Sequence, residues 1–364
     1  MAAGPPVEVV DLADLHDDLR AVARNLLGKT DTPDWAALAE AGWLGLEVPE
    51  SLEGAGATFR EVAVILHEMG RAATASSYLG SVALGVAVLN LIEPETGRDE
   101  VLHQISSGAT RVAVAMSTTD GGLFTTETPF RLERTGGGIR LEGQASFVPD
   151  VMEADRLLLL ASDDEGTPVV VETYGGAPGL KLSSQPVVDA TRRFGLVAAE
   201  GATVPQTSVW RFASEPARST RLSFDRGAVA VACDSLGLAE AMMETTVAYA
   251  QVRKQFERPI GSFQAVKHAC ADMLVQVKVS RQLLSSAVDV LADQNGDVEA
   301  RVSMAKSYVC EAAVKVVGKA IQLHGGIGYT WDSGLHVYLK RAVLNRSLFG
   351  SPAAHRRRLA RRYS

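Results

Sequence analysis

Hydrophobic and polar positions along the chain follow two different periods, and the period changes twice. From about Asp11 to Gly108 apolar residues recur every three or four positions, which predicts amphipathic helices. From Arg111 to about Phe212 the apolar runs are short, β-like and separated by turn residues. After about Arg221 the helical period returns, with helices predicted near 226–254, 263–292, 298–324 and 334–346. In the first region one helical face is formed by Trp35, Leu38, Ala39 and Trp43. A second face is formed by Val62, Ile65, Leu66 and Met69.

This order predicts an α+β protein in which a small β-barrel lies between two helical parts. The changes of period place the boundaries of an N-terminal helical domain at 1–110, a middle β-domain at 111–215 and a C-terminal helical domain at 216–364. A chain of 364 residues is long enough for two or three domains.

Composition excludes several classes of function. Hydrophobic residues make up 46% of the chain, but no apolar run reaches the length of a membrane span, so we expect no membrane partner. The first residues have no basic region followed by an apolar stretch, and we expect a cytoplasmic protein. A net charge of −7 argues against a nucleic-acid partner.

Three cysteines, Cys233, Cys270 and Cys310, are spaced too widely for a disulfide framework or a zinc site, and we predict buried thiols and no metal. The tail from His355 to Arg362 is strongly basic. We expect this tail either to bind phosphates or an acidic neighbouring subunit, or to be a solvated helix end.

Two segments have the character of a clamp for an anionic cofactor. The first segment begins at Arg253 and reads Arg-Lys-Gln-Phe-Glu-Arg-Pro-Ile-Gly-Ser-Phe-Gln264. The planar guanidinium of Arg253 is suited to bind the negatively charged oxygens of a dinucleotide pyrophosphate with two hydrogen bonds. Phe256 adds an apolar face, and the Gln264 amide both donates and accepts hydrogen bonds. In Gln322-Leu-His-Gly-Gly326 the paired glycines let the backbone approach a ligand closely.

These motifs resemble the acyl-CoA dehydrogenase family, and the resemblance covers nearly the whole chain. Trp43–Pro49 with Gly54–Gly56 is similar to the loop of the family's first domain. Gly143–Val148 with Ala154-Asp155, and Asp189–Arg192, are similar to its barrel. The Arg253 and Gln322 motifs resemble its C-terminal four-helix bundle.

The resemblance implies FAD as cofactor and an acyl-CoA thioester as substrate. In the family the two motifs reach across a dimer interface to FAD held mainly by the neighbouring subunit, which implies an obligate oligomer. His324 is better explained as a packing residue of its motif than as a catalyst. The cofactor-binding residues implied are Arg253, Gln255, Phe256, Gln264, Gln322, Leu323, His324, Gly325 and Gly326.

The catalytic base of the family is missing from both places where family members carry it. The reaction removes a proton from Cα, and most members use a glutamate before a Gly-Thr pair, at the position of Phe349 here. Other branches place the base at the position of Gly227. Asp225 lies two residues away, but two residues along a helix turn by about 200°, so it points elsewhere. We therefore predict no catalytic residue in this chain.

The half of the flavin site that would lie on this subunit also departs from the family. The loop after the first barrel strand reads Met116-Ser-Thr-Thr-Asp-Gly-Gly122, without the family's glutamate and proline. The strand that normally contacts the flavin ring reads Phe147-Val148-Pro149, and proline has no amide N–H.

The chain keeps the motifs that would reach a partner's FAD but lacks the residues of an active site of its own. In this respect it resembles the non-catalytic subunit of the heteromeric α2β2 acyl-CoA dehydrogenases with which actinobacteria oxidise steroid side-chain CoA thioesters. The partner would be a catalytic homologue, and an electron-transferring flavoprotein would accept the electrons by family analogy. Two alternatives remain open. One is a self-sufficient homotetramer that uses Asp225 or Glu240 as base. The other is a structural or regulatory homologue that does not touch FAD, or that senses CoA ligands.

Overall fold

The computed structural model describes residues 12–116, 127–135 and 138–362. The helices are α1 Leu12–Leu27, α2 Trp35–Glu40, α3 Phe59–Arg71, α4 Ala87–Leu89, α5 Thr96–Ser106, α6 Pro216–Val252, α7 Gln264–Asp293, α8 Val298–His324, α9 Leu335–Ser347 and α10 Pro352–Ala360. The strands are β1 Val112–Ala115, β2 Phe130–Thr135, β3 Gly138–Pro149, β4 Arg156–Ser162, β5 Pro168–Thr173, β6 Leu180–Gln185, β7 Phe194–Val204, β8 Val209–Trp210, β9 Lys254–Gln255 and β10 Arg258–Pro259. A π-helical segment, Leu79–Val86, leads into α4, and single 3₁₀ turns connect several elements.

The predicted order of helical, β and helical parts is confirmed. The last helix of the first part ends at Ser106 and β1 begins at Val112, while β8 ends at Trp210 and α6 begins at Pro216. The changes of element type therefore fall next to the predicted boundaries.

Two C-terminal helices differ from the prediction. Helix α6 begins ten residues before the predicted start, because Pro216 occupies the first turn and the Glu215 carboxylate accepts hydrogen bonds from the next two free backbone N–H groups. Helix α10 was not predicted as an element. Its nine residues include one large apolar side chain, Leu359, so it has almost no apolar period.

The middle part is one sheet with strand order β6-β7-β3-β2-β4-β5-β8, and β1 pairs in parallel with β4. Within the described strands this path ends at β6 and β8, with no ladder between the two. Strand β4 is apolar on both faces, since Leu157 and Leu159 face the core of the sheet while Leu158 and Leu160 join the core shared with the helices. A continuous apolar run, and not an alternating one, is what a strand covered on both sides requires.

Helices α3 and α6 join the first part to the C-terminal bundle. The predicted face of α3, including Val62, Ile65 and Met69, is buried in the same core as Leu236 and Leu238 of α6. The two helical parts thus share one continuous hydrophobic core, although the β-sheet separates them in sequence.

His67 links these two helices electrostatically. Its Nδ1 lies 3.2 Å from Glu68 and its Nε2 lies 3.0 Å from Glu240 of α6. Because both ring nitrogens face carboxylates, the ring must donate from both and is an imidazolium. Burial alone would lower the pKa of His67, but the hydrogen bonds to Glu240 and Glu68 outweigh burial and raise its pKa.

This geometry predicts a pH-dependent contribution of His67 to stability. A raised folded-state pKa means that the contribution is complete below the ordinary histidine pKa of about 6.5 and is lost as pH rises through the folded-state value. The melting-temperature advantage of the wild type over His67→Gln should therefore shrink as pH rises above about 6.5. The control is His103→Gln, which removes an exposed imidazole 3.6 Å from Glu53. An advantage that stays constant with pH would contradict the imidazolium assignment.

No described helix combines the length and the apolar character needed to cross a bilayer. Among the described residues, no group of three or more His, Cys, Asp or Glu side chains is arranged to hold a metal ion.

Candidate cofactor and active site

The two predicted clamp motifs lie side by side at one end of the bundle. Tyr249 precedes Arg253 by one helical turn, and its ring stacks on the His324 ring with centroids 4.4 Å apart and planes 21° apart. His324 is buried, and its Nδ1 lies 2.8 Å from the Ala320 carbonyl oxygen. This contact brings the ends of α6 and α8 together, and it agrees with a packing role for His324.

The first motif forms a short β-ribbon beyond α6. Arg253 caps the helix, and β9 pairs with β10 across a turn formed by Phe256 and Glu257. Both turn residues have positive φ, 50° and 65°, which side chains other than glycine rarely adopt. Phe256 is 86% exposed at the tip, although its ring meets the Phe263 ring edge-on with centroids 6.1 Å apart. The ribbon therefore presents Phe256 outward at a conformational cost.

The polar side chains of both motifs face outward. The guanidinium of Arg253 has no hydrogen bond or ion pair with any described residue, and Gln264 is exposed at the first turn of α7. The Gln255 amide donates a hydrogen bond to the neighbouring Lys254 carbonyl oxygen at 3.0 Å. Gln322 is exposed and accepts a hydrogen bond from Lys319 at 2.7 Å. These four side chains are available to a ligand.

The paired glycines leave an open backbone. Carbon atoms added at the Cβ positions of Gly325 and Gly326 would meet no atom within 4 Å, and Gly325 has φ of 64°. Leu323, by contrast, is half-buried and packs against the core. Of the second motif, Gln322, Gly325 and Gly326 are accessible, while Leu323 and His324 position them from inside.

Comparison with known proteins agrees with this architecture. The family model for the acyl-CoA dehydrogenase N-terminal domain matches residues 14–109, and the model for the C-terminal domain matches residues 217–364. Acyl-CoA dehydrogenase IpdE2 of Mycolicibacterium smegmatis is 30% identical over 347 residues, which cover 94% of this chain and 91% of that protein. The chain belongs to the acyl-CoA dehydrogenase family.

Two solved acyl-CoA dehydrogenase assemblies are similar over almost the full length. A variant of the Tcur3481–Tcur3483 steroid acyl-CoA dehydrogenase (ACAD) superposes with a TM-score of 0.85 at 26% identity, and the match covers 96% of this chain and 98% of that one. The ChsE4–ChsE5 complex from Mycobacterium tuberculosis gives a TM-score of 0.86 at 26% identity, covering 98% and 97%.

Acyl-CoA dehydrogenases are FAD-dependent oxidoreductases, and the clamp end of this chain fits part of that cofactor. A free guanidinium beside exposed amides and bare glycine backbone suits a pyrophosphate and its sugars. Arg253, Gln264 and Gln322 would contact the dinucleotide, with Gly325 and Gly326 allowing close approach. FAD, when bound, supplies the hydride acceptor of the family reaction.

Phe349 and Gly227, the two positions at which the sequence predicts a missing base, contact each other. Phe349 is buried, and a methyl carbon placed on Gly227 would lie 2.5 Å from its ring. The ring also meets Phe224 edge-on, with centroids 5.7 Å apart. An aromatic ring therefore packs directly on bare helix backbone at Gly227.

This contact predicts that Gly227→Ala destabilises the fold by about 1–3 kcal/mol, because the added methyl overlaps the Phe349 ring. Phe349→Leu should remove most of the overlap. In a double-mutant cycle followed by thermal unfolding, the double variant should then lose less stability than the two single variants together. Strict additivity would show that the two positions do not touch.

The basic tail has its charges compensated within the chain. Arg358 of α10 binds the Asp225 carboxylate through two nitrogens at 2.5 and 3.1 Å, while Arg356 contacts Glu311 at 2.8 Å. An acidic neighbouring subunit or a phosphate is therefore not needed to explain these two arginines. The sequence showed the positive charges but not their partners, which lie on α6 and α8.

Helix α10 also holds Phe349 in place. His355 is buried, with Nε2 2.9 Å from the Phe349 carbonyl oxygen. Burial lowers the pKa of His355 to about 3, so the ring is neutral and its Nε2–H donates to that oxygen. Sequence reasoning missed this residue, since a lone histidine in an arginine run carries no recognisable signal.

The flavin-facing half of the subunit is only partly described. The loop predicted at 116–122 lies outside the described residues from position 117 onward. Phe147 has φ of 52° and is 44% exposed, while Val148 is buried where β3 pairs with β7. The β3 strand is thus irregular near its end, where a register shift between Ala145 and Val148 spans Phe147.

Proposed function

We propose that this chain is the non-catalytic subunit of a heteromeric, FAD-dependent acyl-CoA dehydrogenase that desaturates steroid side-chain CoA thioesters. It completes the FAD site of a catalytic homologue with Arg253, Gln255, Phe256, Gln264 and the Gln322–Gly326 motif. The partner supplies the base and most of the flavin pocket.

The observation that carries the proposal is the contact between Phe349 and Gly227. A base must reach the Cα proton of the substrate, and neither residue has a proton-accepting group. Their mutual packing means that restoring a carboxylate at one position alone requires displacing the other residue.

The two carboxylates that would serve a self-sufficient enzyme are already engaged. Both oxygens of Asp225 are bound by Arg358. Glu240 accepts from Arg281 at 2.7 Å and contacts His67, on the side of α6 that faces α3. The hydrogen bond and charge of His67 outweigh burial and lower the pKa of Glu240, which makes it a poor proton acceptor. Burial raises the pKa of Asp225 in spite of Arg358, so the argument against Asp225 is that Arg358 occupies both of its oxygens. This arrangement disfavours the homotetrameric alternative.

Two relatives support a heteromeric assembly and a steroid substrate. The Tcur3481–Tcur3483 enzyme is described as a steroid ACAD, and ChsE4–ChsE5 as a complex of two named components. Each is 26% identical to this chain over almost its full length. Transfer of electrons to an electron-transferring flavoprotein follows by family analogy.

The test is to express this chain alone and together with a catalytic acyl-CoA dehydrogenase homologue, and to count flavins per complex. We expect no stoichiometric FAD and no acyl-CoA-dependent dye reduction from the chain alone, and both from the α2β2 complex. Stoichiometric FAD with turnover in the isolated chain would reject the proposal in favour of the homotetramer. A complex whose flavin content does not depend on Arg253 would favour the purely structural homologue.

A further inference from the structure

A cavity of about 230 Å³ lies where the first helical part meets the β-sheet, and it contains no residue of the FAD clamp. Its lining comes from segments 32–35 and 75–77 of the helical part and from positions 111, 150–153 and 190–193, which flank strands of the sheet. Drug-sized ligands need about 300–1,000 Å³, so this cavity suits a molecule of only a few heavy atoms.

Four charged side chains line the cavity, and two of them neutralise each other. Arg193 Nη1 lies 2.7 Å from the Glu153 carboxylate, which also accepts a hydrogen bond from the Ser77 hydroxyl at 2.8 Å. The other two, Arg111 and Asp150, form no ion pair with each other or with any other described residue. The cavity therefore holds one cation and one anion, each without a partner.

The Arg111 guanidinium is held by an aromatic ring and not by a carboxylate. Its Cζ lies 5.2 Å from the centroid of the buried Trp35 ring, a cation–π contact. The Asp155 carboxylate accepts a hydrogen bond from the backbone N–H of Arg111 at 2.8 Å, but it forms no ion pair with the guanidinium. The Arg111 Nε is buried and has no partner, so the two terminal nitrogens carry the donors that remain for a ligand.

Asp150 is 5% exposed and is bound through only one oxygen. Its Oδ2 accepts a hydrogen bond from the Gly80 backbone N–H at 3.0 Å, while its Oδ1 accepts none from a described residue. Burial raises the pKa of Asp150 to about 6 in spite of Arg192 and Arg341, whose guanidinium groups bind Asp234 instead. At neutral pH the carboxylate is thus mostly ionised, with no described cation at hydrogen-bond distance.

We propose that this cavity binds the zwitterion of a small aliphatic amino acid, with its carboxylate on Arg111 and its ammonium on Asp150. A zwitterion supplies the missing partner of both charges and brings no net charge into the cavity. A simple carboxylate or a simple amine would satisfy one of the two charges and leave the other unpaired. The inference is independent of the proposed function, because it uses no residue of the FAD clamp.

The experiment is calorimetric titration of the full-length chain, alone or in its complex, with glycine, β-alanine and 4-aminobutanoate. These three zwitterions differ in the separation of their two charges. Acetate, propanoate and butanoate carry only the negative charge, while methylamine, ethylamine and propylamine carry only the positive one. We expect at least one zwitterion to bind saturably, and at least tenfold more tightly than the carboxylate and the amine that match it.

Two variants assign the contacts. Arg111→Gln and Asp150→Asn should each weaken binding of that zwitterion about tenfold or more. Asp150→Asn keeps an oxygen that can accept from the Gly80 N–H, and Arg111 is half-buried, so a circular-dichroism melt suffices to confirm that both variants fold. The control, Arg131→Gln, removes an exposed positive charge on β2, outside the lining, and should leave binding unchanged.

The absence of saturable heat with all three zwitterions, as expected of a cavity that holds only water, would overturn the inference. So would a simple carboxylate or amine that binds as tightly as its zwitterion, or an affinity that is the same in the wild type and in either lining variant.

Discussion

Replacing Asp234 with asparagine should cost about 3–5 kcal/mol of folding stability, the largest stability effect that we expect from a single substitution in this chain. Asp234 is completely buried, and its carboxylate accepts hydrogen bonds from Arg341 at 3.0 and 2.5 Å. Arg192 and Asn345 add contacts at 3.2 and 2.6 Å. Without this carboxylate, two buried guanidinium groups would lose their principal counter-charge.

Asp234 contacts residues from different parts of the fold, so its replacement should destabilise the whole protein. Arg192 comes from the β-domain, Arg341 and Asn345 from α9, and Arg341 also donates to the Thr74 carbonyl oxygen beyond α3 at 2.6 Å. The cluster therefore ties all three parts together at one carboxylate. Thermal unfolding should show a melting temperature lowered by more than about 5 °C.

The matched control for Asp234→Asn is Glu200→Gln, which removes the partner of Lys181 in an exposed pair on the sheet. Exposed pairs contribute about 1 kcal/mol or less, so the melting temperature should barely change. A melting temperature of Asp234→Asn equal to that of the control would show that the cluster does not hold the three parts together.

Replacing Arg253 with alanine should weaken FAD binding by the proposed heteromeric complex roughly ten- to a hundred-fold. A hydrogen bond to a charged group contributes about 1.5–3 kcal/mol, and each 1.4 kcal/mol is a factor of ten in affinity. Because the guanidinium is exposed and unpaired among the described side chains, its removal should leave folding intact. The measurement is titration of the flavin-free complex with FAD, followed by flavin absorbance.

Two comparison variants make this prediction specific. Arg253→Lys should restore only part of the affinity, because an ammonium cannot bind a pyrophosphate bidentately. Arg301→Ala removes an exposed arginine at the opposite end of α8 and should not change affinity. If Arg253→Ala and Arg301→Ala bind FAD equally well, Arg253 does not contact the cofactor.

The sequence by itself determined the features that depend on short stretches of chain. The helical period of α7, α8 and α9 placed these helices within a few residues, and the continuous apolar run of β4 indicated a strand. The two clamp motifs were recognisable because each one combines its polar and glycine residues within about a dozen positions. The absence of a glutamate at Phe349 and Gly227 was likewise visible without coordinates.

Only the tertiary structure decided which distant residues meet. It packed the Phe349 ring on Gly227, paired Arg358 with Asp225, and gathered Arg192, Arg341 and Asn345 around Asp234. These partners lie between 42 and 133 residues apart on different elements, and no local period or motif relates them. Burial and pairing of charges are properties of the packed core. For this reason the candidate site was predictable from sequence as a set of motifs, whereas the contact between Phe349 and Gly227 was not.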